Sequence, residues 1–255
     1  MNNLEVSTEA ITDSDVRKQH REDLDEYLKH LTPKAQKNLE IVESTEANPF
    51  MLRIDNVVPK YFTPLLPLSS AELEFEDRSV PRVCVAHDLV SCILGIARLH
   101  KEFIDNNVPD DRNKKGNIYH ISAFDYKLAV KPNDKLLHDV DLTNEHWLIG
   151  YNRDNQKFYP ISVGKLFMVN LSVTYKEHNN YKPLMYMECF IHISSDKGIM
   201  IKPNRKVGRG YYKLLVEKDG NGKLRLGEIE RADFNQMKKV VVSMENYKES
   251  LIDKW

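Results

Sequence analysis

The 255-residue sequence has no long hydrophobic run, few cysteines and almost no net charge. No apolar stretch approaches the roughly 20 residues that a membrane-spanning helix needs, and the start, MNNLEVSTEAITDSD, lacks the basic head and apolar stretch of a signal peptide. Cys84, Cys92 and Cys189 cannot all pair and have apolar neighbours, so reduced thiols are expected. These features favour a cytoplasmic globular protein, with secretion and one disulfide as the alternative.

The chain also lacks the short motifs of common catalytic and cofactor sites. It has no Walker loop, no G-x-G-x-x-G and no nucleophile elbow. Cysteine precedes histidine by three positions at Cys84 and His87 and at Cys189 and His192, but strand positions three apart face opposite ways, and no paired-cysteine motif is present. The residues therefore predict no metal and no resident cofactor.

The net charge is −1, from 37 basic and 38 acidic residues. A total this close to zero neither repels nor attracts a polyanion over the whole surface. An electrostatic partner would have to be recognised by a local cluster of charge.

Residues 1–48 predict a helical N-terminal arm, followed by a single α+β domain over residues 49–255. The stretch TDSDVRKQHREDLDEYLKHL begins with capping residues and carries one narrow apolar stripe, and a second helix, PKAQKNLEIVEST, begins with proline in its first turn. A narrow stripe needs a surface to lie on. Two alternatives stay open: the arm packs on its own domain, or it docks on a partner or on a second copy of the chain.

The rest of the chain has the pattern of an α+β fold, with a mainly antiparallel sheet, one core helix and a C-terminal helix after Asp233. The apolar segment RVCVA predicts a central strand, and LVSCILGIARLHKEFIDNN repeats apolar residues at three- and four-residue steps, which predicts a helix with one buried face. Alternation and turn residues predict the other strands. These are the segment from Met51 to Ile54, IYHISAF, KLLHDVDL, a hairpin in EHWLIGYNRDNQKFYPI, KLFMVNLSVTYKEH, LMYMECFIHIS and a hairpin in YYKLLVEKDGNGKLRLGEI.

The loop of His87 and Asp88 is the first candidate site, because it joins the RVCVA strand to the core helix. Asp88 is placed to cap that helix, and helix N-termini attract anions. Arg82, just before the strand, adds a positive charge. Two interpretations stay open: the loop is a structural joint with a surface histidine, or it is a substrate or phosphate site.

The segment DLTNEHWLI is the second candidate, because Glu145 is a possible base or ribose ligand and Trp147 a possible stacking surface. Alternation along a strand places both on a side that His146 does not share. The competing interpretation places Trp147 in the core and Glu145 at a strand edge.

A cleft between the two candidates would combine their residues. In that arrangement Glu145 and His87 are the candidate catalytic residues, and Tyr61, Arg82 and Trp147 are the candidate ligand-binding residues.

Residues 197–216 form a basic strip, with six lysines and arginines and no acidic residue. Glycines and tyrosines are interleaved, and this composition suits phosphate contacts and stacking on bases. The alternative is a solvated loop that balances the acidic arm. The candidate nucleic-acid- or phosphate-binding residues are Lys202, Arg205, Lys206, Arg209 and Tyr211.

The runs FTPLLP, EDRSVPRVCVA and TNEHWL, within residues 60–150, resemble a pattern in proteins of phages and mobile elements. More distantly, the order of extended segment, strand, helix, antiparallel strands and late glutamate is similar to ADP-ribosyltransferase-like folds. That second resemblance implies NAD as cofactor, Glu145 as the acidic residue, and Tyr61 or Arg82 in the nicotinamide cleft. The usual histidine or arginine of the first strand and the serine-threonine-serine motif have no counterpart here.

Two functions follow as hypotheses. The first is a phage- or mobile-element-encoded accessory protein that binds a macromolecular partner, protein or nucleic acid, through the acidic arm or the basic strip. The alternative is a nucleotide-using enzyme of ADP-ribosyltransferase-like type, with its cleft between the His87 loop and Glu145. The first is preferred, because no pair of residues has a spacing that only catalysis explains.

Overall fold

The structure is a computed structural model that describes residues 13–45, 50–67, 76–99, 116–126, 128–150, 156–177, 180–218, 224–235 and 237–238. These residues form four helices and thirteen strands. The helices are α1 (Asp13–Lys29), α2 (Pro33–Lys37), α3 (Leu89–Leu99) and α4 (Val140–Thr143). The strands are β1 (Leu39–Glu43), β2 (Met51–Asp55), β3 (Val83–Ala86), β4 (Gly116–Phe124), β5 (Leu128–Pro132), β6 (Glu145–Leu148), β7 (Ile161–Glu177), β8 (Asn180–Ile193), β9 (Ile199–Lys202), β10 (Arg205–Val207), β11 (Gly210–Lys218), β12 (Leu224–Leu226) and β13 (Glu230–Arg231).

Eleven strands make one large sheet, in which every described pairing is antiparallel. The order is β1-β5-β6-β3-β2-β4-β7-β8-β11-β12, with β13 also paired to β11. Strands β9 and β10 form a separate two-stranded ribbon. The fold is therefore α+β with a mainly antiparallel sheet, as the sequence predicts.

The core helix α3 packs on one face of the sheet. Leu89 and Ile93 are fully buried against Leu52 of β2 and Ile121 of β4. Asp88 caps this helix, because its Oδ1 accepts the backbone N–H of Ser91 at 2.9 Å. The predicted strand and cap are confirmed, and so is the buried helix face from Leu89 to Leu94. The side chains of the predicted face after residue 95, and the helical continuation after Leu99, lie outside what the structure describes.

The N-terminal arm lies on its own sheet. Leu24 of α1 and Ala35 of α2 are buried in a cluster with Trp147 of β6 and Val130 of β5. The structure thus agrees with the first of the two alternatives for the arm.

The second arm helix is shorter than predicted. It ends at Lys37, where the Asn38 side chain donates to the Lys34 carbonyl at 2.7 Å and accepts from Asn133 Nδ2 at 2.8 Å. The following LEIVE segment is strand β1, paired with β5. An open sheet edge and β-branched residues therefore decide this segment against a helix.

Two strand predictions are also wrong. KLLHDVDL forms turns and α4, because Asn133 accepts the backbone N–H groups of residues 136 and 137. The apolar Leu136, Leu137 and Val140 are buried at a helical rather than a two-residue spacing. EHWL is a strand, but β6 pairs with β3 and β5 instead of forming a hairpin with the segment after it.

The remaining strand predictions are confirmed in the described part of the chain, whereas most of the predicted C-terminal helix after Asp233 lies outside the described residues. Strand β2 covers the Met51 segment, β4 covers IYHISAF, β7 and β8 form one long hairpin, and β11 pairs with β12. Gly164 of β7, which is paired with Ile193 of β8, has to be a glycine because a Cβ there would collide with the His192 carbonyl. Among the described residues, no helix combines the length and the apolar composition that a membrane crossing requires.

Candidate functional site: the basic hairpin and the His87 cleft

The β9–β10 ribbon, hereafter the basic hairpin (residues 199–207), is anchored by its apolar residues. Ile199 and Ile201 are 1% and 0% exposed and belong to the same core cluster as Ile93 of α3. The turn is closed by Asn204, which adopts a left-handed φ of 61°. The charged side chains of the hairpin are therefore carried on a fixed backbone.

Three cations of the hairpin, Lys202, Arg205 and Lys206, are exposed. Arg205 and Lys206 are neighbours in sequence, but the register shifts between them, and such a bulge breaks the alternation of faces. Within the described part of the chain, none of the three forms an ion pair. As far as the described residues go, these charges have no acidic partner within the protein.

Two other residues of the predicted basic set are already engaged within the protein. Arg209 pairs with Asp196 at 3.3 Å in an exposed ion pair. Tyr211 stacks on His192, with ring centroids 4.7 Å apart and an interplanar angle of 16°, and it also contacts Phe234. The structure therefore narrows the basic set to the three hairpin cations.

A cleft of about 630 Å³ lies beside the hairpin and is hereafter the His87 cleft. It lies where the end of β1, the loop before α3, the residue before β6 and the turn of the hairpin meet. It is lined by Glu43, Thr45, His87, Asp88, Asn144, Met200, Pro203, Asn204 and Lys206. The His87 loop and the basic hairpin are thus parts of one site, although they are about 120 positions apart in sequence.

His87 contacts a second imidazole, that of His146 in β6, with ring centroids 4.4 Å apart and an interplanar angle of 79°. His146 Nδ1 lies 2.8 Å from the Asn144 carbonyl oxygen and must donate to it, because a carbonyl only accepts. Asn144 Oδ1 in turn accepts from Lys131 Nζ at 3.1 Å. The cleft therefore has a hydrogen-bonded wall behind His87.

Both imidazoles favour the neutral form. Burial, together with the charge of Lys131, lowers the pKa of His87. Burial, followed by the effect of His87, lowers the pKa of His146 to about 3. His146 is 3% exposed, so its neutral state is part of the folded structure.

Glu145 lies away from this cleft. It is adjacent to His146 in β6, so its side chain lies on the opposite face of the sheet from that of His146. There it accepts a 2.7 Å hydrogen bond from Trp147 Nε1 and a hydrogen bond from the Cys84 thiol, in a cavity of about 170 Å³. Burial raises the pKa of Glu145. The predicted pairing of His87 with Glu145 in one cleft is therefore not what the structure shows.

Arg82 and Trp147 are structural residues. Arg82 is 4% exposed and pairs with Glu76, and its guanidinium lies 4.0 Å from the centroid of the Trp147 ring. Trp147 is fully buried, so its ring has no face for a ligand. The interpretation that places Trp147 in the core is the one that the structure supports.

Tyr61 lies on a third surface. It is 38% exposed, contacts Tyr159 edge-on at 6.2 Å, and has Lys157 Nζ 4.5 Å from its ring centroid. It lines neither the His87 cleft nor the Glu145 cavity. Tyr61, Arg82 and Glu145 therefore do not form the rim of one site.

The cysteines are free thiols in the described structure. Burial raises the pKa of Cys92 above its usual range and that of Cys189 to about 12. In the part of the chain that the structure describes, no group of three or more histidine, cysteine or acidic side chains is arranged to hold a metal ion.

Asn144, Asn204 and Lys131 were missed by sequence reasoning. The two asparagines have the only positive φ angles among described non-glycine residues, 44° and 61°, and both line the His87 cleft. Asparagine is among the few residues that adopt this conformation readily, so its position at turn ends was a usable signal. Lys131 carries no such signal, because its proximity to His146 depends on the pairing of β5 with β6.

No protein-family model matches the chain, and neither the curated proteins nor the solved structures searched contain a match. The function is therefore argued from the geometry of the site.

Proposed function

We propose that this protein binds a nucleic acid through the basic hairpin. The observation that carries the proposal is the set of three exposed cations, Lys202, Arg205 and Lys206, which stand on an anchored ribbon without an ion pair in the described structure. Ammonium and guanidinium groups are the side chains that contact phosphate oxygens most strongly. Placing them on a fixed backbone lowers the entropy lost on binding.

The shape of the element also supports a nucleic acid. A two-stranded antiparallel ribbon is narrow enough to enter the major groove or to follow a sugar-phosphate backbone. Asp196, which immediately precedes the basic strip in sequence, is paired with Arg209 at 3.3 Å rather than with a hairpin cation. An acidic protein is the competing partner, and the experiment below separates the two.

The enzyme hypothesis is less well supported. It places Glu145 in one cleft with the His87 loop, with Tyr61 or Arg82 beside the ligand. Glu145, however, is hydrogen-bonded to Trp147 away from the His87 cleft, and Arg82 is buried against Glu76. A binding protein needs neither residue in a cleft. The origin of the protein in a phage or mobile element and its cytoplasmic location belong to the same proposal and rest on the resemblance of residues 60–150 and on composition.

The test is fluorescence anisotropy with a labelled oligonucleotide, using a variant with Lys202→Ala, Arg205→Ala and Lys206→Ala. Three lost phosphate contacts should reduce the slope of log K against log salt by about 2 to 3. At low salt the affinity should fall about a hundredfold or more, since three contacts to charged groups at about 1 kcal/mol each contribute about 3 kcal/mol.

The matched control removes the same charge from exposed lysines elsewhere, with Lys18→Ala, Lys37→Ala and Lys135→Ala. It should bind nearly as tightly as the unaltered protein. Equal losses in the two variants would show that net charge, and not the hairpin, attracts the oligonucleotide. Capture of an acidic peptide in preference to the oligonucleotide would replace the proposal with a protein partner.

A further inference from the structure

The His87 cleft shares residues with the basic hairpin. Lys206 and Asn204 line the cleft and belong to the hairpin, so a phosphate group held at Lys206 would lie at the cleft. The cleft volume of about 630 Å³ lies within the range of small-ligand sites. It therefore has room for one unit of a bound polymer, but not for a base pair with its stacked neighbours.

The lining has two kinds of surface. Lys206, Asn144 and Asn204 offer an ammonium group and two amides, which bind phosphate and the polar edge of a base. Met200, Pro203 and the neutral imidazole of His87 offer apolar and flat surface against which a base can pack. The combination matches a nucleotide, which is charged at one end and flat and weakly polar at the other.

The acidic residues of the lining are already engaged. Asp88 is 1% exposed, and its two oxygens accept from the backbone N–H and the hydroxyl of Ser91 at 2.9 and 2.8 Å. Glu43 pairs with Arg21 at 2.9 Å. Lys206 is therefore the charged group of the described lining that forms neither an ion pair nor a side-chain hydrogen bond within the described residues.

The cleft is also held in shape. Asn144 and Asn204 adopt left-handed conformations that cost free energy unless the surroundings impose them. The backbone carbonyl of Asn144 accepts a hydrogen bond from His146, and its side-chain oxygen accepts one from Lys131. A preformed cleft orders fewer groups when a ligand enters.

We propose that the His87 cleft binds a single unpaired nucleotide of the nucleic acid that the basic hairpin holds, with its phosphate at Lys206 and its base against His87 and Met200. The inference rests on the proposed function and deepens it: the partner is single-stranded, because a base inside a duplex remains stacked and cannot enter.

The test has two readouts on the full chain. The first is binding of adenosine monophosphate, followed by thermal shift and by calorimetry, because a ligand selective for the folded state raises Tm. The second is the affinity ratio between single-stranded and duplex forms of one labelled oligonucleotide. The unaltered protein should bind the mononucleotide and prefer the single strand about tenfold or more.

His87→Ala and Lys206→Ala should each weaken mononucleotide binding at least about tenfold, since each removes a main contact. Lys206 is exposed, so Lys206→Ala should fold even if His87→Ala does not. Lys135→Ala removes the same charge from an exposed site outside the cleft and is the control. His87→Ala should also reduce the preference for the single strand towards unity while oligonucleotide binding through the hairpin persists.

Two results would overturn the inference and leave the proposed function standing. One is hairpin-dependent binding with equal affinity for single strand and duplex. The other is mononucleotide binding that is undetectable, or that is unchanged by both cleft variants. Absence of oligonucleotide binding, with mononucleotide binding still lost in the cleft variants, would instead refute the hairpin proposal and retain the cleft as a nucleotide site.

Discussion

Replacing His146 should remove much of the acid sensitivity of this fold. His146 is 3% exposed, donates from Nδ1 to the Asn144 carbonyl, and has the imidazole of His87 and the ammonium group of Lys131 nearby. A proton on His146 would be buried beside these groups. The folded state therefore keeps the ring neutral, with a pKa of about 3.

The sign and size of the effect follow from linkage. The unfolded chain takes up a proton below its ordinary pKa of about 6.5, while the folded chain does not until about pH 3. The free energy of unfolding should thus be unaffected above pH ~7, and should fall as pH drops through ~6.5. The loss attributable to His146 is about 2 kcal/mol between pH ~7.5 and ~5, and reaches about 4 kcal/mol near pH ~3.

Urea denaturation of the unaltered protein and of His146→Gln, at pH ~7.5 and at pH ~5, measures the effect. Glutamine keeps a hydrogen-bond donor for the Asn144 carbonyl but does not titrate. The variant should lose about 2 kcal/mol less than the unaltered protein over this interval. The control His138→Gln removes an exposed imidazole elsewhere and measures what the loss of a histidine at the surface does by itself. Parallel losses in the unaltered protein and in His146→Gln would refute the reasoning, because His87 and all other groups titrate in both.

Two further predictions concern the body that supports the site. Arg82→Met should lower the free energy of unfolding by about 3 kcal/mol or more in chemical denaturation, because it leaves Glu76 without its buried partner. Arg209→Met, which breaks an exposed ion pair, should lower it by at most about 1 kcal/mol. Equal effects would refute the structural role of Arg82. Gly164→Ala should lower Tm by several degrees, since the new methyl group would collide with the backbone of β8, while the new methyl group of Gly208→Ala meets no atom within 4 Å and should change Tm little. An unchanged Tm in Gly164→Ala would mean that β7 and β8 are less closely paired at this position than described.

The local elements could be predicted where pattern and environment agree. RVCVA and its following helix, with Asp88 between them, are determined by apolar periodicity and by a capping residue, and both act over a few positions. The same applies to the long β7–β8 hairpin. The secondary structure predicted for LEIVE and KLLHDVDL was wrong, because a short apolar segment is compatible with either a helix or a strand. The surface against which the segment packs decides between the two.

The candidate site was predictable only in pieces. The sequence predicted His87 and Lys206 as separate candidate site residues. Their common cleft depends on the packing of the basic hairpin against α3. The grouping of His87 with Glu145 failed for a related reason, because adjacent positions in β6 leave opposite faces of the sheet.

By itself, the sequence determined the α+β class, the position of the core helix and its cap, and the presence of a basic strip, because each depends on residues a few positions apart. Only the tertiary structure decided which of those cations remain unpaired, which histidines are buried and neutral, and that the hairpin and the His87 loop enclose one cleft. Those properties depend on strands distant in sequence, whose pairing sets both the distances between charges and the water that surrounds them.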